Sequence, residues 1–140
     1  MNARPKSRLG NFACDLAEVR TAARWVELQA AELGFSAAAA TRMAVAFEEI
    51  FANSIHHGDA GDAAEVRVGL ELQDDDSIRM DFRDKGVHFD PVLDAERVTS
   101  DPIAGAVGGV GVRLAINLAR EMTYNRERDG NHVTMIFENR

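Results

Sequence analysis

The 140 residues are 46% hydrophobic and 28% charged, enough for one core and too few for two, so the chain reads as a single domain over residues 1–140. Sixteen basic against 23 acidic residues leave a net charge of -7, and no Lys/Arg stripe interleaved with aromatics tracks a nucleic-acid backbone, so direct nucleic-acid binding is disfavoured. No apolar run nears the roughly 20 residues of a bilayer span, no apolar signal segment follows residues 1–8, and the lone Cys14 can close no internal disulfide, which makes the expected setting the cytoplasm, with no membrane partner.

The segment before Leu9 reads as a short arm or an edge strand. From 16 to 33, Leu16, Val19, Ala23, Val26, Ala30 and Leu33 recur at intervals of three and four, which predicts an amphipathic helix ended by Gly34. Ser36 offers an N-cap for a second, longer helix, Ala-rich at first and continuing through Thr41 to Ile55, with Gly58 near its end. Residues 64–72 and 78–82 alternate apolar with polar around Asp74-Asp75-Asp76-Ser77, the pattern of an antiparallel hairpin with a solvated turn. Residues 84–109 carry two prolines and several glycines and little periodicity, a length that suggests a functional lid. Helical spacing returns over 110–120 through Val110, Leu114 and Leu118, and 122–126 pairs with 132–137 across Asp129-Gly130 as a closing hairpin. Helices, hairpin, lid, helix, hairpin is not the strict alternation of a doubly wound parallel sheet, so the expected class is α+β, a two-layer sandwich of a mixed, mostly antiparallel sheet with helices on one face.

Three stretches could carry chemistry, and each has an ordinary structural reading of its own. Glu49 and Asn53 stand four apart and so share a helix face, beside a mostly apolar stripe of Met43, Phe47, Ile50 and Ser54; such pairs are usually a solvated surface, although Asn is a poor helix former. Asp84-Lys85-Gly86 follows a strand, where a carboxylate can accept from an exocyclic amine and a glycine leaves room for a flat ring; the same residues also make plain turns. Gly105-Ala106-Val107-Gly108-Gly109-Val110-Gly111 leads into a helix, a place where backbone N–H groups and the helix dipole can receive phosphate oxygens, yet it is neither a Rossmann fingerprint nor a Walker loop.

In order along the chain, Glu49-x-x-x-Asn53, Asp84-x-Gly86 and Gly109-x-Gly111 resemble the N, G1 and G2 boxes of the histidine-kinase-like (Bergerat) ATPases. Within that superfamily the chain is similar to the anti-sigma-factor serine/threonine kinases. The likeness runs through Ala44 to Gly58, Asp81 to Gly86 with Phe89-Asp90-Pro91, Gly108 to Val112, Tyr124-Asn125-Arg126 and Gly130-Asn131 to Val133-Thr134, and so covers essentially 16–137. The resemblance implies ATP and Mg²⁺ as cofactors. Asn53 would give its side-chain oxygen to the metal, Glu49 would be the general base for the attacking hydroxyl, and Asp84 would hold the adenine amine. Thr134 would support Asp84. Gly86, Gly108, Gly109 and Gly111 match positions of close backbone approach, with Val110 and Val112 in the same phosphate-side stretch, and 92–107 would form the nucleotide lid. Arg113 and Arg120 depart from the pattern, where apolar and acidic residues are the more common.

The function so implied is an anti-sigma-type regulator that binds a sigma factor or equivalent effector and phosphorylates a Ser or Thr on an antagonist protein in a partner-switching module, with a homodimer as the expected assembly. The rival from another class is a non-catalytic ATP-gated binding protein. A sensor-kinase catalytic domain would call for a phosphoacceptor hairpin, of which the sequence gives no sign. His56, His57, Asp59 and Asp62 lack the spacing of a tetrahedral zinc site, Asp74 to Asp76 lacks the alternation of a calcium loop, and Cys14, Phe12 and Trp25 read as packing residues.

Overall fold

The computed structural model describes residues 6–57, 64–93, 95 and 110–140. In chain order the elements are β1 (Ser7–Ala13), α1 (Leu16–Glu32), α2 (Ala37–His57), β2 (Glu65–Leu72), β3 (Ile78–Asp84), α3 (Val110–Leu118), β4 (Glu121–Glu127) and β5 (Gly130–Phe137). The five strands form one sheet in the order β1-β2-β3-β5-β4, and each of its four pairings is antiparallel. The residues near Leu9 thus belong to an edge strand rather than a free arm. It runs on to Ala13 and hydrogen-bonds along β2.

Strand alternation decides which face is covered. Val66, Val68 and Leu70 of β2, Ile78, Met80 and Phe82 of β3, and Val133, Met135 and Phe137 of β5 are all buried, while their neighbours in sequence point away. Against this face lie Val26 and Ala30 of α1 and Met43, Phe47, Ile50 and Phe51 of α2. Phe47, Phe51 and Phe82 meet edge-on or tilted with centroids 5.6 to 6.0 Å apart, an arrangement in which ring edges face ring faces. Phe12 of β1 packs edge-on against Trp25 of α1 at 5.6 Å, so both are packing residues that tie the edge strand to the first helix.

The helix ends follow local chemistry. Asp15 caps α1 by accepting from the Ala17 N–H at 3.0 Å. At its other end Gly34 N–H reaches the Ala31 carbonyl and Phe35 N–H the Ala30 carbonyl, each at 3.0 Å, which is a complete Schellman motif with Gly34 at φ 108° and Phe35 buried beneath it. Ser36 caps α2 through the Ala39 N–H at 3.1 Å. Asn139, far away in sequence, accepts from Ser36 N–H and donates to the Gly34 carbonyl, clasping the turn between the two helices. No helix among the described residues is long and apolar enough to cross a membrane.

Candidate functional site

The polar side chains at one end of the sheet come from three elements. β3 ends at Asp84, which faces the helices and is 8% exposed. Directly opposite it in the register is Asn131 of β5, 4% exposed. α2 passes over this end and presents Ile50, Asn53, Ser54 and His57, spaced so that all four fall on one side of the helix. Together with Phe82, Phe89, Pro91 and Val133 these residues line a pocket of about 280 Å³, part of it open to solvent. Asn53 and Asp84, 31 positions apart, therefore share one cleft.

Asp84 is held on three sides. Its Oδ2 accepts from the Ser54 hydroxyl at 2.7 Å, and its Oδ1 accepts from the Gly86 N–H at 2.9 Å and the Asn131 Nδ2 at 3.0 Å. Three donors leave a carboxylate with acceptor capacity to spare, since its two oxygens offer about four lone-pair sites. The walls around it are apolar: Ile50, Phe82, Phe89 and Val133 supply hydrocarbon faces, and the His57 ring lies parallel to Phe89 with centroids 4.1 Å apart. An apolar slot with one convergent acceptor suits a flat heterocycle bearing an amine.

Asn131 is a hub that sequence reading passed over. Its Nδ2 donates to Asp84 and to the Val87 carbonyl at 2.8 Å, while its Oδ1 faces three donors: Tyr124 Oη at 2.5 Å, the Phe89 N–H at 3.3 Å and Arg126 Nη1 at 3.3 Å. Flipping the carboxamide would set oxygen against two acceptors, so the network fixes its orientation. Burial, with the Asp90 and Asp84 charges, pushes the Tyr124 phenol up, which keeps it a donor. Arg126 also donates to the Gly86 carbonyl at 2.8 Å, so the loop after β3 is tied to β4 as well.

Thr134 requires a correction. It pairs with Asp81, not Asp84, and lies on the outer face of the sheet, three residues and hence one change of face from Asn131. Its hydroxyl donates to Asp81 Oδ1 at 3.2 Å, beside His132 Nε2 at 2.6 Å from the same oxygen. Burial would raise the Asp81 carboxyl, but hydrogen bonds from Arg79 and His132 outweigh it and hold the group below its usual range. The support for Asp84 that the resemblance assigned to Thr134 comes instead from Asn131 and Ser54.

Glu49 stands one helical turn before Asn53 and meets α3, where its carboxylate lies against Gly111. Among the described residues neither the Glu49 nor the Asn53 side chain has a hydrogen-bond partner. Val112 is 1% exposed and belongs to the core, so only its backbone could serve a ligand. Gly108, Gly109 and nearly all of the 92–107 segment lie outside the described residues, as does the side chain of Val110. Arg120, one of the two departures noted in the sequence, donates to Asp75 at the tip of the β2–β3 hairpin at 3.0 Å.

The described residues thus form an α+β sandwich, an antiparallel sheet covered by two long helices, in which a helix-borne Asn and a strand-end Asp meet in an apolar slot. The family profile described as histidine kinase-like ATPase domain matches residues 12–137, and the chain belongs to that family. Among solved structures, the RsbU and RsbW domains of Rv1364c from Mycobacterium tuberculosis superpose with a TM-score of 0.68 at 18% identity, over 97% of this chain and 33% of that one. The histidine kinase domain of the blue-light activated histidine kinase EL346 from Erythrobacter litoralis gives a TM-score of 0.56 at 16% identity, over 89% of this chain and 60% of that one. At such identities the likeness is one of fold, and the chain spans only a part of either protein. No curated protein sequence matches.

Proposed function

We propose that this ATPase domain acts as an anti-sigma-type regulator and serine/threonine protein kinase, transferring phosphate from ATP to an antagonist protein in a partner-switching module. The observation that carries the reading is the meeting of Asn53 and Asp84 in one pocket, with Glu49 one turn before Asn53 on α2 and its carboxylate against the start of α3. In this reading Asp84 accepts from the adenine amine while Ile50, Phe82 and Val133 exclude water from the ring. Asn53 gives its carboxamide oxygen to Mg²⁺, a hard cation that needs few protein ligands when phosphate oxygens and waters complete its shell. Mg-ATP, when bound, supplies the phosphoryl group and offsets the repulsion that a net charge of -7 would otherwise impose. Glu49 accepts the proton of the attacking Ser or Thr hydroxyl, and positioning does most of the rest, since phosphoryl transfer asks little covalent chemistry of the protein.

The partners that follow are a sigma factor or equivalent effector and an antagonist bearing the phosphorylated Ser or Thr, with the regulator working as a cytoplasmic homodimer. Replacement of Glu49 by Gln tests the catalytic half. It should lower phosphoryl transfer by roughly 10² to 10⁴-fold, the usual span for loss of a general base, and leave Mg-ATP affinity nearly unchanged by calorimetry. If wild-type protein with Mg-ATP and its antagonist yields no phosphoserine or phosphothreonine, the kinase reading fails and an ATP-gated binding protein remains.

A further inference from the structure

Gly111 is the second residue of α3, a position where no backbone need for glycine exists. Among the described glycines only Gly34 has a positive φ, so the backbone at 111 is one that any L-residue adopts. Alanine is also the better helix former of the two. What glycine supplies here is space. A Cβ built on Gly111 would overlap Glu49 Oε2 and stand 2.8 Å from Glu49 Cδ and 3.5 Å from its Cγ, so the three nearest atoms are all from that one side chain. Carbon atoms in contact prefer about 3.5 to 4.0 Å, which the carboxylate could regain only by rotating away.

We infer that Gly111 is a positioning residue for Glu49: its missing side chain is the seat of the Glu49 carboxylate, and this, rather than close approach to phosphate, is why α3 begins with glycine at this position. The inference rests on the reading of Glu49 as the base. It goes beyond that reading by assigning the second glycine of Gly109-x-Gly111 to the catalytic side chain rather than to the nucleotide. An alanine at 111 leaves the rest of the helix intact and moves the carboxylate, the far end of a flexible chain that can swing aside without unfolding anything.

The test uses the full chain with Gly111→Ala in three backgrounds: wild type, Glu49→Ala and Glu49→Asp. With ¹³C-labelled glutamate, the Glu49 carboxyl resonance, assigned by its loss in Glu49→Ala, should shift in Gly111→Ala. In the Glu49→Ala background, Gly111→Ala should leave Mg-ATP affinity within about twofold, because no carboxylate is present to displace. In wild type it should cut phosphoryl transfer by at least about tenfold, and by less than that in Glu49→Asp, whose shorter side chain vacates the seat. An unmoved Glu49 resonance would overturn the inference. So would a larger loss of Mg-ATP affinity in the Glu49→Ala background, since the space would then belong to the ligand. If the wild-type chain proves to bind no Mg-ATP, the function proposed above fails, while the resonance still decides where the Glu49 carboxylate sits.

Discussion

At the scale of single residues the site depends most on Asn131, which spends both amide hydrogens and its oxygen on groups from β3, the loop after it and β4. Asn131→Ala strands several buried partners at once. Loss of a buried partner costs about 1–3 kcal/mol, so thermal or urea unfolding should report a destabilisation of that order, accompanied by weaker Mg-ATP binding because Asp84 loses one of its three donors. An unchanged affinity would mean that Ser54 and Gly86 suffice to orient the carboxylate. Asn53 and Asp84 were singled out by the resemblance to the N and G1 boxes; spacing alone put Glu49 and Asn53 on one helix face and Asp84 at a strand end, where a solvated surface and a plain turn are the ordinary readings. The support for Asp84 was misassigned, although the signal was present: Val133, Met135 and Phe137 are the buried parity of β5, which sends Thr134 outward and Asn131 inward. Family likeness pointed at Thr134, and strand parity overrules it.

At the scale of elements, periodicity gave both long helices and both hairpins to within a few residues, because each is long enough to show its buried face. β1 was harder to read. In Ser7–Ala13 the large apolar Leu9 is 65% exposed on the outer face, while Gly10 occupies the inner one against Trp25, so the usual alternation is absent from the sequence. The clasp of Asn139 on the helix turn was not legible either, since local patterns say nothing of a contact 103 residues away. Where local chemistry does decide, it can be tested. Gly34 ends α1 at φ 108° with nothing near a would-be Cβ, so Gly34→Ala should cost about 1–2 kcal/mol from backbone conformation alone. A thermal midpoint equal to that of wild type would show that the Schellman turn can relax to another geometry.

At the scale of the whole molecule, the ion pair of Asp75 with Arg120 joins the tip of the β2–β3 hairpin to the connection between α3 and β4, and Arg120 also approaches Glu138 at 4.0 Å. Side-chain and backbone hydrogen bonds from Ser77, together with Arg120, lower the Asp75 carboxyl from 3.8 to about 2. A group whose pKa is depressed on folding favours the folded state once the pH exceeds the unfolded value, and that contribution disappears as pH falls through the folded one. Acid should therefore erode stability between about 3.8 and about 2 in part through Asp75, and Asp75→Asn should flatten the pH dependence of the thermal midpoint in that window. Asp81, also held below its usual range, contributes to the slope that remains in the variant; a slope identical to wild type would exclude Asp75.

The triple fastening of Asp84 has a wider consequence. A helix, a strand and a loop all grip the same carboxylate, so the group that would discriminate among ligands is oriented when the chain folds and needs no rearrangement when one arrives. Discrimination at that end of the cleft is then inherited from the packing of the sheet and α2. Substitutions deep in the hydrophobic layer that slacken this grip should blur the choice of ligand well before they melt the protein.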